Sequence, residues 1–154
     1  MIQFRKVLIC FLQVITILSI IVQLAEATTM TFTVQGGEEL TKTLNLAIED
    51  RVLIKFTVVA QSDKALHFYI TFPNATVKDF DKIGDFHHSF VCDLEGEYIL
   101  HFSNRDSAEN KFVTLDYEVQ HYIFGIPQML FMTIFIVVVC VAAVAVFILM
   151  GKTH

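Results

Sequence analysis

Five histidines between the two long apolar segments of the chain are the first candidates for chemistry: His67, His87, His88, His101 and His121. Imidazole nitrogens bind transition metals and transfer protons near neutral pH. His87 and His88 are adjacent in a predicted strand, so their side chains point to opposite faces and cannot bind one ion together. A metal site would need His67 or His101 from a neighbouring strand, and solvent-facing or interface histidines are the favoured interpretation.

The acidic segment 79–85 resembles a calcium-binding loop only superficially. Ile83 occupies the fifth ligand position and Phe90 the twelfth, where an EF-hand needs oxygen donors. We interpret the segment as an acidic, solvated turn. The single cysteine of the middle region, Cys92, follows two apolar residues and is predicted to be a buried, unreactive thiol.

No catalytic signature occurs in the sequence. There is no Gly-x-Ser-x-Gly, no His-Glu-x-x-His and no glycine-rich phosphate loop. We therefore expect no catalytic residue, no cofactor and no bound metal, and the chain is predicted not to be an enzyme. A hydrolase or metal-dependent enzyme that uses the histidines is the disfavoured alternative.

Composition places part of the chain in lipid. The 154 residues are 55% hydrophobic and 18% charged, with a mean hydropathy of +0.59, which is too apolar for a water-soluble domain. Residues 28–121 are acidic, with eight basic and 15 acidic side chains and a net charge of −7. Nucleic acid is therefore excluded as a partner, because a phosphate-binding surface needs clustered lysine and arginine.

The N-terminal segment has the organisation of a secretory signal. Arg5 and Lys6 precede an apolar run over residues 7–24, which ends at Ala25-Glu26-Ala27. Residues 1–27 are predicted to be a signal peptide cleaved after Ala27. The alternative is an uncleaved signal anchor, because the apolar run approaches the ~20 residues that span a bilayer.

The C-terminal segment is predicted to be a transmembrane helix over residues 129–150. Its 22 residues carry no charge and would extend about 33 Å as a helix, against a hydrocarbon core of ~30 Å. Lys152 follows at once, so the basic residues flank both apolar segments on their outer sides, and the region between them is expected outside the cytoplasm. Residues 121–128 form a linker and residues 151–154 a cytoplasmic tail.

The middle region alternates apolar and polar residues at the period of a β-strand. This pattern predicts an all-β ectodomain over residues 28–120, an antiparallel, jelly-roll-like β-sandwich of about eight strands. The predicted strands centre on residues 32–34, 40–46, 52–59, 68–72, 77–83, 86–92, 98–102 and 113–119. The sequon Asn74-Ala75-Thr76 lies in a predicted loop and makes Asn74 the expected glycosylation acceptor if the host glycosylates.

Two stretches of this region resemble the closing strands of GOLD (Golgi dynamics) domains. Residues 96–104 match the family's Gly-x-Tyr-x-Leu-x-Phe-x-Asn pattern, and residues 111–119 match the Val/Leu-Tyr-Val strand after a charged hairpin tip. The opening Phe32-x-Val34-x-Gly36-Gly37 fits the same sandwich. The resemblance covers most of residues 28–120.

The order of parts is similar to that of transmembrane GOLD-domain cargo receptors of the early secretory pathway, which bind cargo or one another in the lumen and coat proteins through the tail. This chain has Cys92 alone where that group has a disulfide pair, a linker too short for the usual coiled coil, and a tail without di-lysine or di-phenylalanine. Coat recruitment is therefore not expected. The reduced form is more similar to prokaryotic, notably archaeal, membrane-anchored versions.

These observations predict a single-pass type I membrane protein that binds a protein partner or cargo outside the cytoplasm, with a role in protein transport or surface recruitment. It would lie in the cell membrane of a prokaryote or the ER and Golgi membranes of a eukaryote, as a homo- or hetero-oligomer. The alternative is a structural subunit that associates through its transmembrane helix. The expected interaction surface is either the exposed sheet face or the loop ends near Asn104-Arg105-Asp106.

Overall fold

The computed structural model describes residues 27–151. The predicted signal peptide or anchor, apart from Ala27, and tail residues 152–154 lie outside this range, so both remain predictions. Ala27 is the first residue of strand β1 and pairs with Glu118. Gly151, expected to begin the tail, is the last residue of the C-terminal helix.

Eight strands of six to ten residues account for the predicted ectodomain, and each coincides with one of the predicted alternating segments. Their bounds are β1 Ala27–Val34, β2 Glu39–Leu46, β3 Arg51–Val59, β4 Leu66–Thr71, β5 Val77–Ile83, β6 Asp85–Val91, β7 Gly96–Ser103 and β8 Lys111–Gln120.

The strands form two antiparallel sheets of four. Sheet 1 has the order β1-β8-β3-β6 and sheet 2 the order β2-β7-β4-β5. Consecutive strands mostly alternate between the sheets, which is the strand order of a jelly roll. The predicted fold class, an all-β antiparallel sandwich, is confirmed.

The core lies between the sheets and is centred on four phenylalanines. Phe56 and Phe86 project from sheet 1, and Phe68 and Phe102 project from sheet 2. Each ring contacts at least two of the others, with centroids 4.8–5.4 Å apart. Aliphatic side chains at alternate positions of the same strands surround the cluster, so burial of this apolar surface is what holds the two sheets together.

A buried lysine lies where β3 ends and β8 begins. Lys111 is 2% exposed, and its ammonium group donates to Asp63 Oδ2 at 3.0 Å and to the Ala65 carbonyl oxygen. The hydrogen bond from Lys111, partly opposed by desolvation, holds the pKa of Asp63 below its usual value. A buried charge is tolerated only when it is paired and hydrogen-bonded, so this contact ties the β3–β4 loop to the start of β8.

The chain divides into two compact units, the sandwich and a second unit that holds the C-terminal helix. After β8 come two short strands, β9 Tyr122–Ile123 and β10 Ile126–Pro127, and then helix α1 Gln128–Gly151. Within α1, residues Gln128–Ala145 have a mean hydropathy of 2.6, and none of this window is buried within the protein. By length and composition, α1 is able to cross a membrane.

Replacement of one core phenylalanine tests the importance of the central cluster. We expect Phe68→Ala to lower the free energy of unfolding by about 3–5 kcal/mol, because it removes a fully buried ring and leaves a cavity. Phe112→Ala is the matched control, since Phe112 is 53% exposed on the outer face of sheet 1, and it should cost about 1 kcal/mol or less. Urea denaturation of the full chain in detergent, followed by tyrosine near-UV circular dichroism, measures both. Equal losses would contradict the assignment of Phe68 to the core.

Candidate functional site

The outer face of sheet 2 carries a stacked aromatic pair at its centre. Tyr69 on β4 lies opposite His101 on the adjacent strand β7. Their rings are nearly parallel, with an interplanar angle of 9° and centroids 4.2 Å apart. The outward direction of both side chains follows from the burial of their chain neighbours Phe68 and Phe102, since successive residues of a strand face opposite sides.

Glu39, at the start of β2, holds this pair in place. Its Oε1 atom accepts a hydrogen bond from the Tyr69 hydroxyl at 2.9 Å and lies 3.0 Å from His101 Nδ1. Its Oε2 atom lies 3.5 Å from the guanidinium group of Arg105. The His101 ring is also held by Thr71, whose hydroxyl lies 3.1 Å from Nε2. We call Glu39, Tyr69, His101 and Arg105 the Glu39 network.

The network is partly desolvated, and this changes its proton affinities. The Glu39 side chain is 14% exposed and that of His101 is 16% exposed. Burial by itself would raise the pKa of Glu39, but the hydrogen bonds from His101 and Tyr69 and the charge of Arg105 outweigh it, so the pKa is lowered. Burial and the hydrogen bond to Glu39 raise the pKa of Tyr69. At neutral pH the network therefore holds an anionic Glu39 and a protonated Tyr69.

A depression of about 330 Å³ lies beside the aromatic pair. Its lining combines carboxylates, an arginine and a tyrosine, which is a surface suited to binding polar or charged groups. Arg105 and Asp106 form part of its rim, and Asp106 is 3.1 Å from Lys82. The lining residues are Glu39, His67, Tyr69, Val77, Asp79, Ser103, Arg105 and Asp106.

Next to the depression, three metal-ligating side chains converge. One ligand atom from each of His67, Asp79 and Asp81 lies within 4.8 Å of the other two. Asp79 Oδ1 is 2.7 Å from His67 Nε2 and accepts the backbone N–H of Asp81 at 2.8 Å. No sequence pattern joins His67 to the two aspartates, because His67 is expected beside another histidine and segment 79–85 fails only as a continuous calcium loop.

His87 and His88 do not join this group, since both are on β6 in sheet 1. Their side chains differ in exposure, as expected for adjacent strand residues that face opposite sides of the sheet. His87 is exposed, whereas His88 is half-buried against the rings of Phe80 and Phe90. Burial, together with the charges of Lys78 and His87, lowers the pKa of His88, so this imidazole is neutral at neutral pH.

His121 and Asn104 serve the fold. His121 Nδ1 lies 2.9 Å from Oδ1 of Asp50, a buried carboxylate directly before β3. Asn104, expected in an interaction loop, is also buried, and its amide donates to the carbonyl oxygens of Val34, Gln35 and Glu109. Of that predicted loop, only Arg105 and Asp106 are exposed and line the depression.

The remaining singled-out residues lie where the sequence suggests. Cys92 is buried, and burial raises the pKa of its thiol to about 11. Asn74 is exposed in the β4–β5 turn, where its Oδ1 atom accepts hydrogen bonds from the backbone and the hydroxyl of Thr76. Its glycosylation remains a prediction, as does cleavage after Ala27.

No family model matches the chain, and no curated protein matches it. Similar solved structures include the periplasmic g-type lysozyme inhibitor PliG of Aeromonas hydrophila, with 17% identity over 62% of this chain and 88% of that one and a TM-score of 0.46. A PliG mutant from Escherichia coli has 15% identity over 64% and 91%, with a TM-score of 0.47. The Yersinia pseudotuberculosis-derived mitogen has 16% identity over 65% and 91%, with a TM-score of 0.45. Similarity this low carries no argument about function, and the GOLD resemblance remains a prediction.

Protonation of Glu39 should remove part of the stability of the sandwich. Because its folded-state pKa is lowered, the ionised carboxylate contributes stability that is present above the unfolded-state pKa of about 4.3 and is lost as pH falls through the folded-state value. We expect wild type to be more stable than Glu39→Gln at pH 7 and this difference to shrink at lower pH. Urea denaturation of both proteins across this range measures it. A difference that does not change with pH would contradict the role of the charge.

Cys92 should resist alkylation in the folded protein. A pKa of about 11 leaves almost no thiolate at pH 8, and burial blocks access. We expect iodoacetamide to leave the Cys92 peptide unmodified in the native full chain and to modify it after unfolding in urea. Peptide mass spectrometry resolves this peptide from those of the other cysteines. Equal labelling in both states would show that the thiol is accessible.

Proposed function

We propose that this protein is a non-catalytic interaction module that α1 anchors in a membrane and that binds a protein partner through the outer face of sheet 2. The observation that carries the proposal is the stacked Tyr69–His101 pair, held by Glu39 beside a depression of about 330 Å³. The predicted secretory signal supports an extracytoplasmic position for this face.

The Glu39 network has the properties of a preorganised binding surface. Tyrosine and arginine are enriched at protein interfaces, where a ring supplies contact area at low entropic cost. Here the Tyr69 ring is held on its face by His101 and at its hydroxyl by Glu39. Less conformational freedom is then lost when a partner binds, and affinity rises for the same contacts.

The charge of the ectodomain favours a partner that presents lysine or arginine. Residues 28–121 carry a net charge of −7, and the depression has the carboxylates of Glu39, Asp79 and Asp106 in its lining. Such a field attracts a basic segment and raises its association rate in a salt-dependent manner. A cationic side chain of the partner would enter the depression while an adjacent apolar group covers the Tyr69 ring.

The finer assignment is a GOLD-like ectodomain on a type I anchor, with a role in protein transport or surface recruitment. It is supported by the Gly-x-Tyr-x-Leu-x-Phe pattern on β7, where the apolar positions Tyr98, Leu100 and Phe102 are buried. The membrane assignment is supported by the length and hydropathy of α1. Neither the β7 pattern nor the hydropathy of α1 indicates coat binding.

Photocrosslinking from two matched positions tests which face binds. Val77 lines the depression and is 57% exposed, whereas Val59 is 56% exposed on the outer face of sheet 1. A photoreactive amino acid at each position, in the full chain and in native membranes, should give a defined protein adduct from position 77 and not from 59. Tyr69→Ala in the position-77 protein should abolish that adduct while the near-UV spectrum shows the fold retained. Identical adducts from both positions, or none from position 77, would refute the proposed face.

Replacement of α1 distinguishes the interaction module from the structural subunit. An unrelated apolar helix of the same length should preserve the adduct from position 77, because the partner is bound by the sandwich. If the helix replacement abolishes the adduct from position 77 in a protein that is still inserted and folded, the result favours a subunit that assembles through its transmembrane helix.

A further inference from the structure

The arrangement around His67 begins with an irregularity in the pairing of β4 and β5. Tyr69 pairs with Asp79, but His67 pairs with Lys82, so β5 has one more residue than β4 between the two pairs. This is a β-bulge. At the bulge, Asp81 has a positive φ of 59°, and its carboxylate lies near that of Asp79.

Phe80 fixes the direction of the side chains on either side of it. Its ring is stacked on Phe68 and contacts Phe86 edge-on, so it belongs to the core. With Phe80 directed inward, Asp79 and Asp81 are both exposed and lie next to His67 on the adjacent strand. The three ligand atoms are within 4.8 Å of one another without any change of backbone.

The donor set selects a class of metal. One imidazole nitrogen and two carboxylates are ligands that Zn²⁺ and similar divalent transition metals accept, and three protein ligands with one open position is a common arrangement for zinc. Calcium needs six to eight oxygen ligands, which this group does not provide. The depression beside the group is lined by His67 and Asp79, so a water molecule or a ligand from a partner has room to fill the open position.

The electrostatic surroundings are compatible with a cation. Two lysines of β5 are adjacent to the ligands. Lys82 lies 3.1 Å from Asp106, which offsets its charge, and Lys78 Nζ lies 3.2 Å from His88 Nε2.

We propose that His67, Asp79 and Asp81 form a binding site for a divalent transition metal ion of the Zn²⁺ class. The ion would replace the His67–Asp79 hydrogen bond as a side-chain link between the paired strands β4 and β5. The site adjoins the proposed binding face but does not rest on the proposed function.

The test uses Zn²⁺ itself on the full chain in detergent micelles, with any purification tag removed and bound metal stripped by a chelator. Isothermal titration calorimetry should give one saturable site per chain. The double variant His67→Gln/Asp81→Asn removes two ligands, and because loss even of a residue that supports a ligand weakens binding by about 10–100-fold, we expect a loss of at least that size. The matched control His87→Gln/Asp85→Asn changes an exposed histidine and an exposed aspartate on β6 and should bind as wild type does.

Thermal unfolding supplies a second readout, which also shows that the variants are folded. Zn²⁺ should raise the unfolding midpoint of wild type and of the control, because a ligand that binds only the native state stabilises it. It should not change that of the ligand variant, whose metal-free midpoint should be near that of wild type. Absence of saturable binding to wild type, or equal weakening in the control, would overturn the site.

Discussion

The two sheets are held together by the cluster of Phe56, Phe68, Phe86 and Phe102, and the chemistry on the surface depends on it. A strand that directs one residue into the core must direct the next one outward. Burial of Phe68 and Phe102 on adjacent strands therefore presents Tyr69 and His101 side by side on the outer face of sheet 2. The candidate site is thus a consequence of core packing. A shift of β4 or β7 by one residue would disrupt both the phenylalanine cluster and the Tyr69–His101 pair.

Three buried polar side chains add to the constraints that the apolar core sets. Lys111, Asp50 and Asn104 are each nearly inaccessible to solvent and each is hydrogen-bonded. Lys111 donates to Asp63, Asp50 accepts the backbone N–H of Ala47, and the Asn104 amide donates to the Glu109 carbonyl oxygen. Unpaired, such groups would cost several kcal/mol, so they constrain the loops that supply their partners. The position of Arg105, and with it one side of the Glu39 network, follows from the burial of Asn104 next to it.

The β-bulge in the edge strand β5 could not be predicted from the local sequence pattern. The apolar and polar positions of the segment predict a strand over residues 77–83, which β5 confirms, whereas the interpretation of segment 79–85 as a turn is wrong, since only Gly84 lies between β5 and β6. The bulge is invisible in that pattern because it is a relation between two strands. Without it, the pairing of Tyr69 with Asp79 would place Asp81 directly opposite His67, whereas the observed register places Lys82 there. His87 and His88, the metal partners expected for His67, lie on β6 in sheet 1, because the neighbours of a strand are not encoded in its local pattern.

The sequence alone determined the eight strands of the sandwich, the faces that are buried, the inert character expected of Cys92 and the apolar C-terminal helix, because each of these depends on periodicity or composition within a short segment. The two short strands β9 and β10, in the predicted linker, have no such signal. Only the tertiary structure decided which strands are neighbours and which polar side chains meet. Glu39 and His101 are 62 residues apart, and Glu39 and Tyr69 are 30 apart. No local pattern encodes these contacts, because they arise when two sheets close on a shared core and set the register of strands that are distant in the chain.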